Sequence, residues 1–334
     1  MWFEQLTGFQ ESTGEQVREN LNLDGSLLTS RVNGRTMVCG TLEVLSLADL
    51  RRACTDLPRG GSRLTLSEVV ADVQRLHVSP ANSGALFQVA SQFNLLEMVS
   101  PSRTPDDGID CYEYDRTQGP ACAIACGAGT IFRNYFVNVD GRPGQTALRQ
   151  LDCLRELGIL LGNTDSRLWA MKNGYALATA DGLRQISERL GNAGEAERDS
   201  LRERLAIGIH WNTQVTLEDA AHLVTQAYCS ALPVAYSRLP SSDWEPFARL
   251  ILEAAYEATF CAGICNAALT GNRTVYLTLL GGGAFGNSEV WIADAIRRSV
   301  SLFANSDLQV AIVSYGRSQP FVRDLIEDCE RFLS

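Results

Sequence analysis

The feature that most constrains the fold lies late in the chain, in the run TVYLTLLGGGAFGNSEVWIADAIRRSV, Thr274 to Val300. An apolar segment, Thr274 to Leu280, ends in a glycine-rich turn, Gly281-Gly282-Gly283-Ala284-Phe285-Gly286, which passes straight into an amphipathic helix over Ser288 to Ala304. Asn287 or Ser288 can cap that helix, Glu289 falls in its first turn, and Ile292, Ile296 and Phe303 mark its buried face. A strand delivered directly into a helix is the repeating unit of layered α/β folds. Glycines in the connection let backbone N–H groups converge on an anion, and the helix N-terminus adds partial positive charge. The loop is neither the dinucleotide fingerprint G-x-G-x-x-G nor a P-loop, because no G-K-[ST] follows. The plain alternative is a tight strand-to-helix turn with no ligand.

The rest of the chain supports the same class. Strands are expected at Thr36 to Ser46, Ala85 to Ala90, Thr130 to Val139, Ala206 to Thr216, Leu223 to Leu232 and Leu308 to Ser314. Helices are expected at Leu47 to Cys54, Leu64 to Leu76, from Pro120, Trp244 to Ala268 and Pro320 to Leu333, with Val69, Val73 and Leu76 as the stripe of the second. The first 35 residues are polar and punctuated by Gly, Asn and Ser, and suggest an irregular lead-in. Residues 141–205 differ in texture: charged amphipathic helices flank a hairpin around Trp169 to Thr179, with Asn173-Gly174 as its turn. They suggest an insertion decorating a core made of 81–140 and 206–334, with 1–80 as an N-terminal extension and first strand. Alternating strands and helices at this spacing imply a layered α/β fold with a largely parallel sheet.

Charge narrows the partners. The 334 residues carry 29 basic and 39 acidic side chains, a net −10, without a basic tract. Neither a nucleic-acid backbone nor an anionic membrane is expected to bind such a surface. Lys172 is the only lysine, so neither a phosphate-loop lysine nor a Schiff-base lysine is at hand. Ten cysteines without an export signal point to reduced thiols and a cytoplasmic protein. The pairs Cys122/Cys126 and Cys261/Cys265 lack zinc-ribbon spacing, and His77, His210 and His222 match no zinc motif, so neither metal nor cofactor is expected. His210 suits a core position, and Cys229 lacks a partner as a nucleophile.

In open α/β sheets, ligands sit outside the carboxyl ends of the strands. Gln92 and Asn94, Cys229 to Ala231, and the Gly281 to Gly286 loop all follow expected strands, and the Gln118-Gly119-Pro120 helix start would join them at one edge. Here the sequence resembles the macrodomain superfamily. Val89-Ala90-Ser91-Gln92 followed by Asn94-Leu95-Leu96 stands where that family has an N-A-A-N-like turn. Thr117-Gln118-Gly119-Pro120-Ala121 stands at its D-G-A-I-like helix start, and Gly281 to Gly286 at its G-x-G-[VAI]-[FY]-G loop. The resemblance spans about 85–140 and 206–334. It implies a three-layer α/β/α mixed sheet binding ADP-ribose or an ADP-ribosylated substrate.

Gly281, Gly282, Gly283, Ala284, Phe285, Gly286 and Asn287 would then hold the diphosphate, with Phe285 against the distal ribose. Gln92 and Asn94 would hydrogen-bond that ribose, and Gln118-Gly119 would close the first phosphate loop. In Cys39-Gly40-Thr41-Leu42-Glu43, Thr41 stands where the family contacts adenine through a carboxylate, with Glu43 two positions on. The paired glutamates of the poly(ADP-ribose) glycohydrolase branch are missing; Glu97 and Asp115 are the carboxylates nearest the first loop, and either could orient or deprotonate a water. Two functions fit: hydrolysis of an ADP-ribosyl linkage, or a reader of ADP-ribose or a related NAD-derived nucleotide without turnover.

Overall fold

The computed structural model describes residues 1–57 and 61–333. Its centre is a mixed sheet of seven strands: β1 (Thr41–Ser46), β2 (Thr65–Val70), β3 (Leu86–Ala90), β4 (Ala206–Gln214), β5 (Leu223–Cys229), β6 (Thr274–Leu277) and β7 (Gln309–Ser314), in the order β1-β4-β5-β3-β6-β7-β2. β4 runs against both β1 and β5, and the remaining pairings from β5 to β2 are parallel. Strands buried on both faces read as near-continuous apolar runs, and β3, β5 and β6 are buried almost throughout.

Helices cover both faces. Against one lie α1 (Leu47–Thr55), the 30-residue α5 (Ser241–Thr270), α6 (Glu289–Leu302) and α7 (Pro320–Leu333). Against the other lie a short helix, Val73–Val78, with α2 (Gln118–Ala125) and α3 (Gly127–Tyr135). Strand alternation shows the division. On β5, Cys229 Sγ reaches Thr259 Oγ1 of α5, whereas Gln226 donates to the Cys122 carbonyl of α2. On β3, Gln88 donates to Thr259 and Phe87 stacks on His77 at 3.8 Å. The chain is a three-layer α/β/α fold.

Three expectations are corrected. Residues 64–76 form no single helix: β2 occupies Thr65–Val70 and the helix starts only at Val73. The β-branched Thr65, Val69 and Val70 pair along β7, from Thr65↔Gln309 to Val70↔Ser314, and this distant partner decides the conformation. Residues 130–139 are mostly helix, because α3 runs on to Tyr135 and Gly129 lets it lie on β4; a Cβ there would meet Thr213 Oγ1 at 2.6 Å. The lead-in is structured. Helices Trp2–Thr7 and Gly14–Asn20 precede a small antiparallel sheet of Leu21–Asp24, Leu27–Ser30 and Thr36–Val38, and Trp2, Phe3, Leu6 and Val17 share a buried cluster with Ala128 and Ile131 of α3.

Residues 141–205 contain the helix Arg155–Leu161, a hairpin of Trp169–Lys172 and Tyr175–Ala178, and the helices α4 (Ala180–Asn192) and Glu195–Arg202. The hairpin turns at Asn173 and Gly174, both with positive φ. Trp169 packs on Phe247 of α5, with ring centroids 5.3 Å apart.

Candidate functional site

β3 and β6 pair only at Leu86↔Val275 and Phe87↔Tyr276, then part. The chain leaving β3 crosses to the α2 face and that leaving β6 to the α5–α6 face, so a crevice opens between their carboxyl ends. It holds a cavity of about 450 Å³ lined by Gln92, Glu97, Met98, Asp115, Gln118, Gly119, Tyr175, Tyr236, Gly281, Gly283, Ala284 and Phe285, with the ends of β3 and β6 behind them.

The loop after β6 forms one wall. Tyr256 of α5 anchors its root, donating through its hydroxyl to the Thr278 carbonyl and accepting from Leu280 N. Gly281 turns the chain at φ 75°, where a Cβ would strike that of Ala231 at 2.4 Å. Gly286 N donates to the Gly283 carbonyl and Asn287 N to that of Gly281, closing the loop. Among the described residues the N–H groups of Gly283, Ala284 and Phe285 meet no acceptor within the protein. Backbone donors free of internal partners beside a cavity suit an anion.

The start of α2 forms the opposite wall. Gly119 lies against the end of β3 so closely that a Cβ would meet the Ala90 carbonyl oxygen at 2.0 Å. As the first helical residues, Gln118 and Gly119 have N–H groups without intrahelical acceptors. The Gln118 side chain takes over from the missing strand neighbour: Oε1 accepts from Ala90 N and Nε2 donates to the Gln88 carbonyl.

Glu97 lies at the floor, 2% exposed. Both its carboxylate oxygens are 3.1 Å from Nη2 of Arg133, itself fully buried, and its own N–H donates to the Tyr112 hydroxyl. Burial pushes the Glu97 carboxyl up to about 7, against the opposing pull of Arg133 and Tyr112. Behind it runs a line of buried polar groups. Arg133 Nη1 donates to the Tyr228 hydroxyl, which donates to Gln226 Oε1; Gln226 Nε2 donates to His77 Nε2, and His77 Nδ1 donates to the Val73 carbonyl. These partners fix the neutral imidazole tautomer, and burial lowers its pKa to about 4.

Tyr175, Tyr236 and Phe285, from three separate segments, cluster with ring centroids 5.2 to 5.6 Å apart. The Tyr175 hydroxyl donates to the Met98 carbonyl.

Of the residues singled out in the sequence, the structure brings Gln92, Glu97, Asp115, Gln118, Gly119, Gly281, Gly283, Ala284 and Phe285 to this cavity. Asn94, Gly282, Gly286 and Asn287 are not among its lining. Asn94 is fully buried, with its amide spent on Gln150 and Leu96 N, and Asn287 donates to the Leu232 carbonyl. Gln92 has its Oε1 taken up by Met98 N. Glu43 accepts from Trp211 on the outer strand β1, away from the lining. Cys229 is buried, its thiol pushed up to about 11 by burial, and His210 is fully buried beside Phe132. Among the described residues no group of three or more His, Cys, Asp or Glu is placed to hold a metal ion. None of the helices described is long and apolar enough to cross a membrane. Sequence reasoning missed Tyr175 and Tyr236. Tyr175 directly follows the recognisable Asn173-Gly174 turn, but nothing local says which way the hairpin folds.

No family model and no curated protein matches the chain. Among solved structures it is similar to poly(ADP-ribose) glycohydrolase from Thermomonospora curvata, at 11% identity and a TM-score of 0.45, over 95% of this chain and 97% of that one. It is also similar to the Deinococcus radiodurans poly(ADP-ribose) glycohydrolase in complex with ADP-ribose, at 12% identity and a TM-score of 0.44, over 88% and 95% of the two chains. Likenesses this distant transfer no activity to this chain.

Proposed function

We propose that the chain, as a single elaborated macrodomain-like domain, binds ADP-ribose or a related NAD-derived nucleotide in this cavity and hydrolyses an ADP-ribosyl linkage. The observation that carries the reading is the convergence of the free N–H groups of Gly283, Ala284 and Phe285 with the α2 start at Gln118-Gly119, over a floor that holds Glu97. Two phosphates fit donors of this kind without a lysine. Phe285 offers an apolar face to the distal ribose. Glu97 takes a proton from water at the anomeric carbon, and a carboxyl titrating near 7 suits that task.

One observation favours a second reading, a reader without turnover. Arg133 engages both Glu97 oxygens, which leaves the carboxylate less capacity to orient a water.

Calorimetric titration with ADP-ribose, beside AMP and NAD, tests the binding common to both. Gly283→Glu is a clean control, because a Cβ at Gly283 meets nothing within 4 Å and the added carboxylate repels an anion. Micromolar or tighter binding of ADP-ribose, lost in Gly283→Glu, is expected. Absence of heat with all three ligands overturns the reading. Release of ADP-ribose from modified substrates then separates enzyme from reader.

A further inference from the structure

We infer that the cavity, between Asp115 and the rings of Tyr236 and Phe285, holds a subsite for a planar, delocalised cation joined to the distal ribose of the ligand. This deepens the nucleotide-binding reading and rests on it. The side chains lining the cavity include two carboxylates, Glu97 and Asp115, and no Lys, Arg or His. A diphosphate held by backbone donors alone therefore enters a space whose formal side-chain charge is already negative, and a positive centre elsewhere on the ligand offsets that repulsion.

The two carboxylates differ in what faces them. Arg133 neutralises Glu97 from behind. Asp115 accepts from Thr117 N and has no ion-pair partner among the described residues. Its charge lies near enough to Tyr175 to help raise that phenol, after burial and the Tyr236 hydroxyl. Tyr175 packs against Tyr236 and Phe285, both partly exposed, and all three rings line the same cavity as Asp115, so a carboxylate without an ion-pair partner shares that space with accessible aromatic rings. That pairing suits a delocalised cation, which takes a charge partner at its edge and a ring on its face.

Two groups share this chemistry: a guanidinium linked through nitrogen to the ribose, and a pyridinium. Hydrolysis of either balances with water alone. The water oxygen bonds to the anomeric carbon, the C–N bond breaks with its electron pair passing to nitrogen, and Glu97 takes the water proton. A guanidine leaving group gains that proton and departs as guanidinium; a pyridine departs neutral and the proton goes to solvent.

The test is titration of the full chain with ADP-ribose, ADP-ribosyl-agmatine and NAD, in wild type and Asp115→Asn, with products analysed after each run. Asparagine keeps the acceptor for Thr117 N, so the turn persists. At least one cationic ligand is expected to bind about tenfold more tightly than ADP-ribose. Preference for ADP-ribosyl-agmatine assigns the guanidinium, and preference for NAD the pyridinium. Asp115→Asn lowers affinity for the preferred ligand and raises it for ADP-ribose, opposite signs that a structural role would not produce; Tyr236→Leu weakens the cationic ligand selectively. ADP-ribose binding as tightly as both cationic ligands, or a preference untouched by Asp115→Asn, overturns this inference and leaves the nucleotide reading standing. Silence with all three ligands overturns both.

Discussion

Glu97 and Arg133 form an ion pair from which water is almost wholly excluded, with side chains 1% and 0% exposed and both carboxylate oxygens 3.1 Å from one guanidinium nitrogen. Removing one partner of such a pair strands a buried charge. Arg133→Met, close in volume, is expected to lower unfolding stability by about 3–5 kcal/mol. Urea titration at pH 7.5 reads this directly. The double variant with Glu97→Gln should recover part of the loss; equal losses in both proteins would mean that the pair is not coupled.

Two buried groups make stability depend on pH in opposite directions. Glu97 has its pKa raised in the fold by burial, so its contribution is full below the ordinary carboxyl value of 4.5 and is lost as pH rises through about 7. His77 has its pKa lowered, so its contribution is full above 6.5 and is lost as pH falls through about 4. Each is worth on the order of 3 kcal/mol across its window. The expected outcome is a shallow wild-type profile between pH 5 and 7. Stability in Glu97→Gln should fall less from pH 5 to 8 than in wild type, and in His77→Gln less from pH 6.5 to 4.

Turnover and binding should separate at the cavity floor. Glu97→Gln keeps the shape of the side chain while removing its basicity, and is expected to cut kcat about a hundredfold or more while ADP-ribose affinity changes little. Single-turnover release of ADP-ribose, measured beside calorimetry, checks both halves. Unchanged kcat would remove Glu97 from the chemistry.

Gly119→Ala tests the contact that sets the cavity's first wall. Its Cβ would stand 2.0 Å from the Ala90 carbonyl oxygen, and backbone cannot swing aside as a flexible side chain can. A loss of about 3 kcal/mol is expected from the forced separation of helix and strand. Thermal melts of Gly119→Ala beside Gly283→Ala, where the added methyl meets open space, give the comparison.

Tyr175→Phe removes one buried donor and keeps the ring. Loss of the bond to the Met98 carbonyl should cost about 1 kcal/mol of stability. Phe285 and Tyr236 should still find their aromatic neighbour, leaving ligand affinity nearly intact; a titration showing affinity lost with the hydroxyl would contradict this.

Much of this was legible because the signals were local. The Thr274 to Val300 unit declares itself within 27 consecutive residues, and the Asn173-Gly174 turn within two. The errors came where distant partners decide. Val69, Val73 and Leu76 fit a helical stripe, but Val69 belongs to a strand paired with Val313, far along the chain. Thr130 to Phe136 carries β-branched and aromatic residues that favour a strand, yet Arg133 finds its partners only from a helix laid across β4 and β5. Asn94 and Gln92 occupy the right turn, but much of their hydrogen-bonding capacity goes to neighbouring backbone and Gln150, which no spacing rule reveals.

Gly174 presses the hairpin tightly against the turn that follows β3, beside the cavity. A single added carbon at Gly174 would sit 2.5 Å from Asn94 Oδ1 and 2.6 Å from Gln92 Cβ, and Gln150 ties Asn94 to Asn173 across the same seam. Lifting the hairpin would strip these amides of their partners all at once, so the hairpin is a fixed wall and not a door. The cavity lies open to solvent instead at the Gly283-Ala284 tip of the loop after β6, so a ligand bound as proposed would pass there.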